Sequence, residues 1–87
     1  MTQPKIEMYT TPVCPYCVRA KALLQQKGLS YQEIDITKEP GLKEAMMQRA
    51  NGRQTVPQIF INGHHVGGCD DLYAANSSGA LEKLLQV

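Results

Sequence analysis

Cys14-Pro15-Tyr16-Cys17 is the segment of this 87-residue chain whose residue types and spacing can do chemistry. Pro15 disfavours helical geometry at the residue before it. It also suits the first position of a helix, where its missing N–H costs least. The pattern therefore puts Cys14 at the N-cap of a helix and Cys17 at the third helical position. An N-cap side-chain atom can accept a hydrogen bond from the N–H of that third residue, and the helix dipole adds about half a positive charge at the same end. Both effects favour thiolate at Cys14. A free thiol of pKa ~8.5 is only about 3% ionised at pH 7, whereas helix N-termini and C-x-x-C motifs bring the value down to ~3.5–7.5. Cys17 falls on an apolar stripe with Ala20 and Leu24 and is expected to be shielded. An exposed, activated thiol followed by a hidden one is the arrangement of an attacking and a resolving thiol.

C-x-x-C is also half of a zinc site, and Cys69, His64 and His65 are the residues that could complete one. Structural zinc takes a second tight pair of ligands. His64 and His65 are adjacent, so on a strand they point to opposite faces and cannot both ligate. The redox reading is therefore preferred and no metal is expected. An inert pair of core cysteines fits worse still, because the residue before Pro15 faces solvent.

The elements that must position these thiols follow from periodicity. Lys5 to Thr10 alternates apolar and polar residues and reads as a strand. Pro12 and Pro15 punctuate a loop. From Tyr16 to Lys27 the pattern is helical, with Cys17, Ala20, Leu23 and Leu24 on one face, and Gly28 supplies a left-handed stop. Tyr31 to Ile36 reads as a second strand. Leu42, Ala45, Met46 and Arg49 mark the inner face of a second helix ending at Asn51-Gly52. Gln58 to Ile61, the hairpin signal Asn62-Gly63 and His64 to Val66 form a strand pair, broken by Gly67-Gly68. Asp70 to Asn76 reads as a third helix, and Leu81, Leu84 and Leu85 mark a fourth. A βαβ start requires a parallel pair with a right-handed crossover. The expected class is α/β: a four-stranded mixed sheet, parallel βαβ plus antiparallel β-hairpin, flanked by helices and occupying residues 1–87 as one domain.

Composition excludes other functions. Nine basic and eight acidic side chains leave a formal charge of +1, without the basic excess of a nucleic-acid binder. One Phe and no Trp give no stacking platform for single strands. No apolar run approaches the ~20 residues of a membrane span, and the first ten residues do not read as a secretory signal. Three cysteines, two of them clustered, do not make a secreted disulfide framework. The expected location is the cytoplasm, where a catalytic disulfide is commoner than a structural one.

Three motifs in order, Cys14-Pro15-Tyr16-Cys17, Thr55-Val56-Pro57 and Gly67-Gly68-Cys69-Asp70-Asp71, resemble those of the glutaredoxins. The similarity is greatest to the short bacterial dithiol forms and covers essentially the whole chain. It implies a thioredoxin-like fold, glutathione as reductant and co-substrate, and reduction of protein disulfides and protein–glutathione mixed disulfides. It also implies a glutathione site drawn from Tyr16, Arg53, Thr55, Val56, Pro57, Gly68, Cys69, Asp70 and Asp71. Pro57 would be a cis-proline beside Cys14, leaving the main chain of Val56 free to pair with an extended substrate. Gly67-Gly68 would allow close backbone approach. The N–H groups of Cys69 and Asp70 would receive the γ-glutamyl carboxylate, Asp70 would answer its ammonium, and Asp70-Asp71 would also cap the helix. Tyr16 would flank the thiol pocket.

Many relatives carry a Lys three residues before the first cysteine. Thr11 stands there in this chain, and Arg53 is the candidate to meet the glycyl carboxylate instead. Cys69 is expected to be structural or a slow oxidation target. Two alternatives fit less well. A thioredoxin served by a flavoprotein reductase leaves Gly67 to Asp71 without a purpose. A glutathione-bridged iron–sulfur carrier is disfavoured by Pro15, which stiffens the loop and removes an N–H near the sulfur. Ribonucleotide reductase, arsenate reductase and glutathionylated proteins in general are the candidate targets, and a monomer is expected.

Overall fold

A computed structural model describes residues 4–86. The elements are β1 (Ile6–Thr10), α1 (Pro15–Gln26), β2 (Gln32–Asp35), α2 (Leu42–Arg49), β3 (Gln58–Ile61), β4 (His64–Gly67), α3 (Cys69–Ser78) and α4 (Ala80–Leu85). Every element expected from periodicity is present in order. The strands lie as β2-β1-β3-β4, with β1 parallel to β2 and antiparallel to β3, and β3 antiparallel to β4. This is the mixed sheet inferred from the βαβ start and the terminal hairpin.

Alternation along β1 and β3 divides the core between the two faces of the sheet. Ile6, Met8, Ile59 and Ile61 pack with Ala20, Leu23 and Leu24 of α1, Cys69 and Leu72 of α3 and Leu81 of α4. Tyr9 and Phe60 point the other way and pack with Met46 of α2 and with Ala50. Fully burying a side chain such as Leu24 or Phe60 contributes on the order of 1.5–3 kcal/mol, so the larger first face carries most of the hydrophobic stabilisation. On that face Ala20, Leu23 and Leu24 hold α1 against the central strands.

The turns follow their residue types. Asn62 (φ 52°) and Gly63 (φ 81°) take the paired left-handed conformations of a tight hairpin. Gly28 (φ 72°) ends the first helix region in the left-handed conformation that glycine adopts without cost.

The structure differs from these readings in places. Tyr31 and Ile36 lie outside β2, which is a short, largely exposed edge strand, and Gly67, read as breaking the second hairpin strand, is the last residue of β4. Ala45 is exposed although its spacing placed it inward, because Met46 alone fills the buried position of α2. α3 begins one residue earlier and ends two later than its apolar pattern indicated, since Gly68 is an adequate N-cap by backbone geometry alone. Among the described residues no helix is long and apolar enough to cross a membrane.

Candidate active site

Cys14 is the N-cap of α1, with extended backbone (φ −149°, ψ 98°) and Pro15 as the first helical residue. Its Sγ accepts a hydrogen bond from the Cys17 N–H at 3.1 Å. The two cysteines are joined as a disulfide, their Cα atoms 5.1 Å apart. They are not equivalent. Cys14 is half-buried at the mouth of a groove, whereas Cys17 is 1% exposed, inside the stripe formed with Ala20, Leu23 and Leu24. The first turn of α1 contains no acidic residue, so the helix itself brings no negative charge against its positive end at the Cys14 sulfur.

The Val56–Pro57 peptide is cis. It brings the Val56 carbonyl oxygen to 3.8 Å from the Cys14 Sγ. Pro57 is buried at the entry to β3, while Thr55 is exposed beside it. Across from them α3 starts at Cys69 with Gly68 as N-cap. Tyr16, Arg53, Thr55, Val56, Pro57, Gly68, Cys69, Asp70 and Asp71 line one open groove of about 230 Å³. All nine residues nominated from the sequence are therefore brought together, with Tyr16 forming a 55% exposed wall beside the disulfide.

The two acids at the start of α3 divide their work differently from the sequence expectation. Asp71, not Asp70, closes the helix end. Its Oδ2 accepts from the Gly68 N–H at 2.9 Å and from Arg53 Nη1 at 2.9 Å. The Gly68 N–H and then the Arg53 guanidinium hold the Asp71 carboxyl below its ordinary value. The Asp70 carboxylate is exposed and accepts no hydrogen bond from the described residues. Arg53 is not a lone solvated cation, since it is anchored to Asp71 at the groove wall. Gly67 (φ 120°) makes this possible, because a Cβ there would run into the Asp71 carboxylate and the Arg53 guanidinium. Cys69 is 4% exposed, and burial pushes its thiol pKa up. A raised pKa keeps it a thiol at neutral pH and suits a packing role over a nucleophilic one.

Periodicity could not show the polar contacts that support this site. Gln58 is completely buried, donates from Nε2 to Thr55 Oγ1 at 3.1 Å and pairs through Oε1 with His65 Nε2 at 2.8 Å. His65 stacks on Phe60, with ring centroids 4.9 Å apart, whereas His64 is exposed. The only available signal was a glutamine opening an otherwise apolar strand. On the second face of the sheet Arg49 donates to Glu7 at 2.9 Å and to the Tyr9 hydroxyl at 3.0 Å, and lies 4.0 Å over the Phe60 ring.

A disulfide with one sulfur at a groove and its partner hidden behind can exchange two electrons with an approaching thiol or disulfide. That chemistry, on this mixed sheet, makes the molecule a thiol–disulfide oxidoreductase of thioredoxin-like fold. Residues 6–66 match the glutaredoxin family model. The chain is 54% identical over 81 residues to glutaredoxin 3 of Escherichia coli K12, covering 93% of this chain and 96% of that one. Among solved structures it resembles the solution structure of glutaredoxin from Brucella melitensis (53% identity, TM-score 0.82, 95% and 89% of the two chains). It also resembles a buckwheat glutaredoxin–glutathione complex (35% identity, TM-score 0.83, 92% and 74%). The chain belongs to the glutaredoxin family, as a dithiol member and glutathione-dependent disulfide oxidoreductase.

Proposed function

We propose that Cys14 is the attacking thiol and Cys17 the resolving thiol, and that the groove holds the glutathionyl group of the substrate. The observation that carries this reading is the unequal exposure of the two sulfurs around a helix N-cap. On a protein–glutathione mixed disulfide, the Cys14 thiolate attacks the glutathione sulfur and the target leaves as a thiol. A second glutathione thiolate then displaces the Cys14-bound one, giving glutathione disulfide and regenerating Cys14. On a protein disulfide, Cys14 forms a mixed disulfide with one target sulfur and releases the other as a thiol. Cys17 attacks Cys14, the target leaves fully reduced, and the Cys14–Cys17 disulfide forms. Two glutathione molecules return the pair to dithiol.

In this reading the Cys69 and Asp70 N–H groups meet the γ-glutamyl carboxylate, and the exposed Asp70 carboxylate meets its ammonium. The Val56 main chain pairs with the tripeptide backbone, Pro57 and Gly68 form the floor, and Tyr16 flanks the sulfur. Arg53, held by Asp71, faces the glycyl end with Thr55. A buckwheat relative solved as a glutathione complex supports glutathione as the ligand, and the gathering of these residues around one open groove supports its placement here. The substrates are disulfide-containing and glutathionylated proteins, ribonucleotide reductase among the candidates. The protein works as a cytoplasmic monomer, without a metal and without binding nucleic acid or membrane.

The test is kinetic. Cys14→Ser abolishes activity on both substrate classes. Cys17→Ser retains turnover of a glutathionylated peptide, where glutathione completes the cycle, and loses most activity on a protein disulfide. Equal loss on both substrates would overturn the division of roles. Stoichiometric zinc, or a visible cluster absorbance in anaerobically purified protein, would overturn the metal-free reading.

A further inference from the structure

Glutathione occupying the groove is the reading on which this inference rests, and it concerns a residue outside that groove. Gln58 is fully buried, and its amide has one polar partner on each side: His65 Nε2 at 2.8 Å and Thr55 Oγ1 at 3.1 Å. His65 in turn is fixed by stacking on Phe60, with ring planes 26° apart. Burial and then the Arg53 guanidinium push the His65 pKa down, so the imidazole is neutral at pH 7 and has one hydrogen to place. On Nε2 that hydrogen is donated to Gln58 Oε1. The amide then has a defined sense, because one end of a glutamine side chain only accepts and the other only donates. Its Nε2 occupies a lone pair of the Thr55 hydroxyl, and the hydroxyl hydrogen is left to point away from Gln58.

We propose that His65 is a positioning residue for glutathione: through Gln58 it holds the Thr55 hydroxyl as a hydrogen donor aimed into the groove. The carboxylates and peptide carbonyls of the tripeptide are acceptors only. A hydroxyl already oriented as a donor loses no rotational freedom on binding them. Without His65 the Gln58 amide is free to turn over, and the Thr55 hydrogen can be drawn back to Gln58 Oε1.

The test uses the intact protein and a glutathionylated peptide, with an aromatic disulfide reagent lacking a glutathionyl group as the second substrate. His65→Phe retains a ring to stack on Phe60 and removes the donor. It raises KM for the glutathionylated peptide about three- to tenfold, the size of one uncharged hydrogen bond, while kcat and the rate with the aromatic reagent stay as they were. Thr55→Val raises the same KM by a similar factor. In a Thr55→Val background, His65→Phe has no further effect. His65→Gln, which restores an N–H donor, recovers the parent KM. Should His65→Phe fold poorly, Gln58→Met carries the same prediction and the same cycle. An unchanged KM in a folded His65→Phe variant, or an undiminished effect in the Thr55→Val background, overturns the positioning role alone. An unchanged KM in Thr55→Val overturns both the role and the groove assignment at Thr55.

Discussion

At the start of α1 the capping atom is a sulfur, the first residue is proline and the first turn has no acid. At the start of α3 the N-cap is a glycine, and the first turn carries Asp70 and Asp71. Both helix ends border the groove, and each has an excess of unpaired N–H groups. At α1 the positive end is matched by an atom that becomes an anion only when the disulfide is reduced. At α3 it is matched by a permanent carboxylate from within the helix, Asp71, which takes the Gly68 N–H and anchors Arg53. That cap leaves the N–H groups of Cys69 and Asp70 for an outside ligand. In the proposed reading one end serves reactivity and the other binding, and the distinguishing feature is whether a fixed negative charge is present.

Removing the second charge of α3 gives the largest expected effect. Asp70→Ala takes away the partner proposed for the γ-glutamyl ammonium. A charge-assisted hydrogen bond is worth roughly 1.5–3 kcal/mol. At this exposed position the low end applies, so KM for glutathionylated substrate rises about tenfold. Because Asp71 closes the helix, and the better helix propensity of Ala offsets the lost charge–dipole attraction of Asp70, the thermal midpoint changes little. A lowered midpoint with normal KM would make Asp70 a cap and break the contrast.

Asp71→Asn has the complementary signature. Asn keeps an acceptor for the Gly68 N–H, so what is lost is the charge-assisted part of that bond, and the half-exposed ion pair adds little. About 1 kcal/mol is expected, which lowers the midpoint by roughly 4–8 °C in a domain of this size. The sign with pH follows from the carboxyl, whose folded pKa is below its unfolded one. Its stabilisation is fully present above the unfolded value, near pH 4, and is lost as pH falls through the folded value. The difference between parent and Asp71→Asn in urea unfolding is therefore constant from pH 5 to 7 and shrinks below pH 4. A difference that persisted at pH 2 would sink the assignment.

The smallest effect comes from giving α1 what α3 has. Tyr16→Glu sets an acid in the first turn beside Cys14. Charge–dipole interactions there are worth about 0.3–1 kcal/mol, which raises the Cys14 pKa and slows its alkylation at pH 6 about two- to fivefold. Raising the salt concentration diminishes the difference. An unchanged rate would mean that the helix end does not act on this sulfur.

The legibility of the sequence followed the range of the interactions. Cys14 as N-cap was readable because Pro15 dictates it locally, and the Asn62-Gly63 hairpin because two adjacent residues specify the turn. The parallel β1–β2 pair and the antiparallel hairpin followed from connection length and handedness, whereas the joining of β3 to β1 was visible only in the structure. Choosing between Asp70 and Asp71 as the cap was not possible from residue types, since with glycine at the N-cap only the helix geometry selects which acid reaches back. Arg49 read as an inward position of α2. Its partners Glu7 and Phe60 come from strands far away in sequence, so an amphipathic pattern could not announce them. Gln58 and His65 were missed for the same reason, because a buried polar pair is visible only once both partners are placed.

The outer strand β2 has a consequence for how the protein survives its own work. A reductase of disulfides meets partners with loosened, extended chain, and any open sheet edge is a template for such chain to add to. The β2 edge is four residues long and bears Glu33 and Asp35. Glu33 is tied to Lys21 at 2.6 Å and to Thr10 at 2.9 Å. Asp35 is bonded by the Thr37 backbone N–H and hydroxyl at 2.8 and 2.6 Å, which turns the chain away where the strand ends. A visiting segment thus finds little length to pair with and two carboxylates in its path. An extended client finds no ready template along this border, which leaves the main chain at Val56, beside the sulfur, as the pairing partner proposed above.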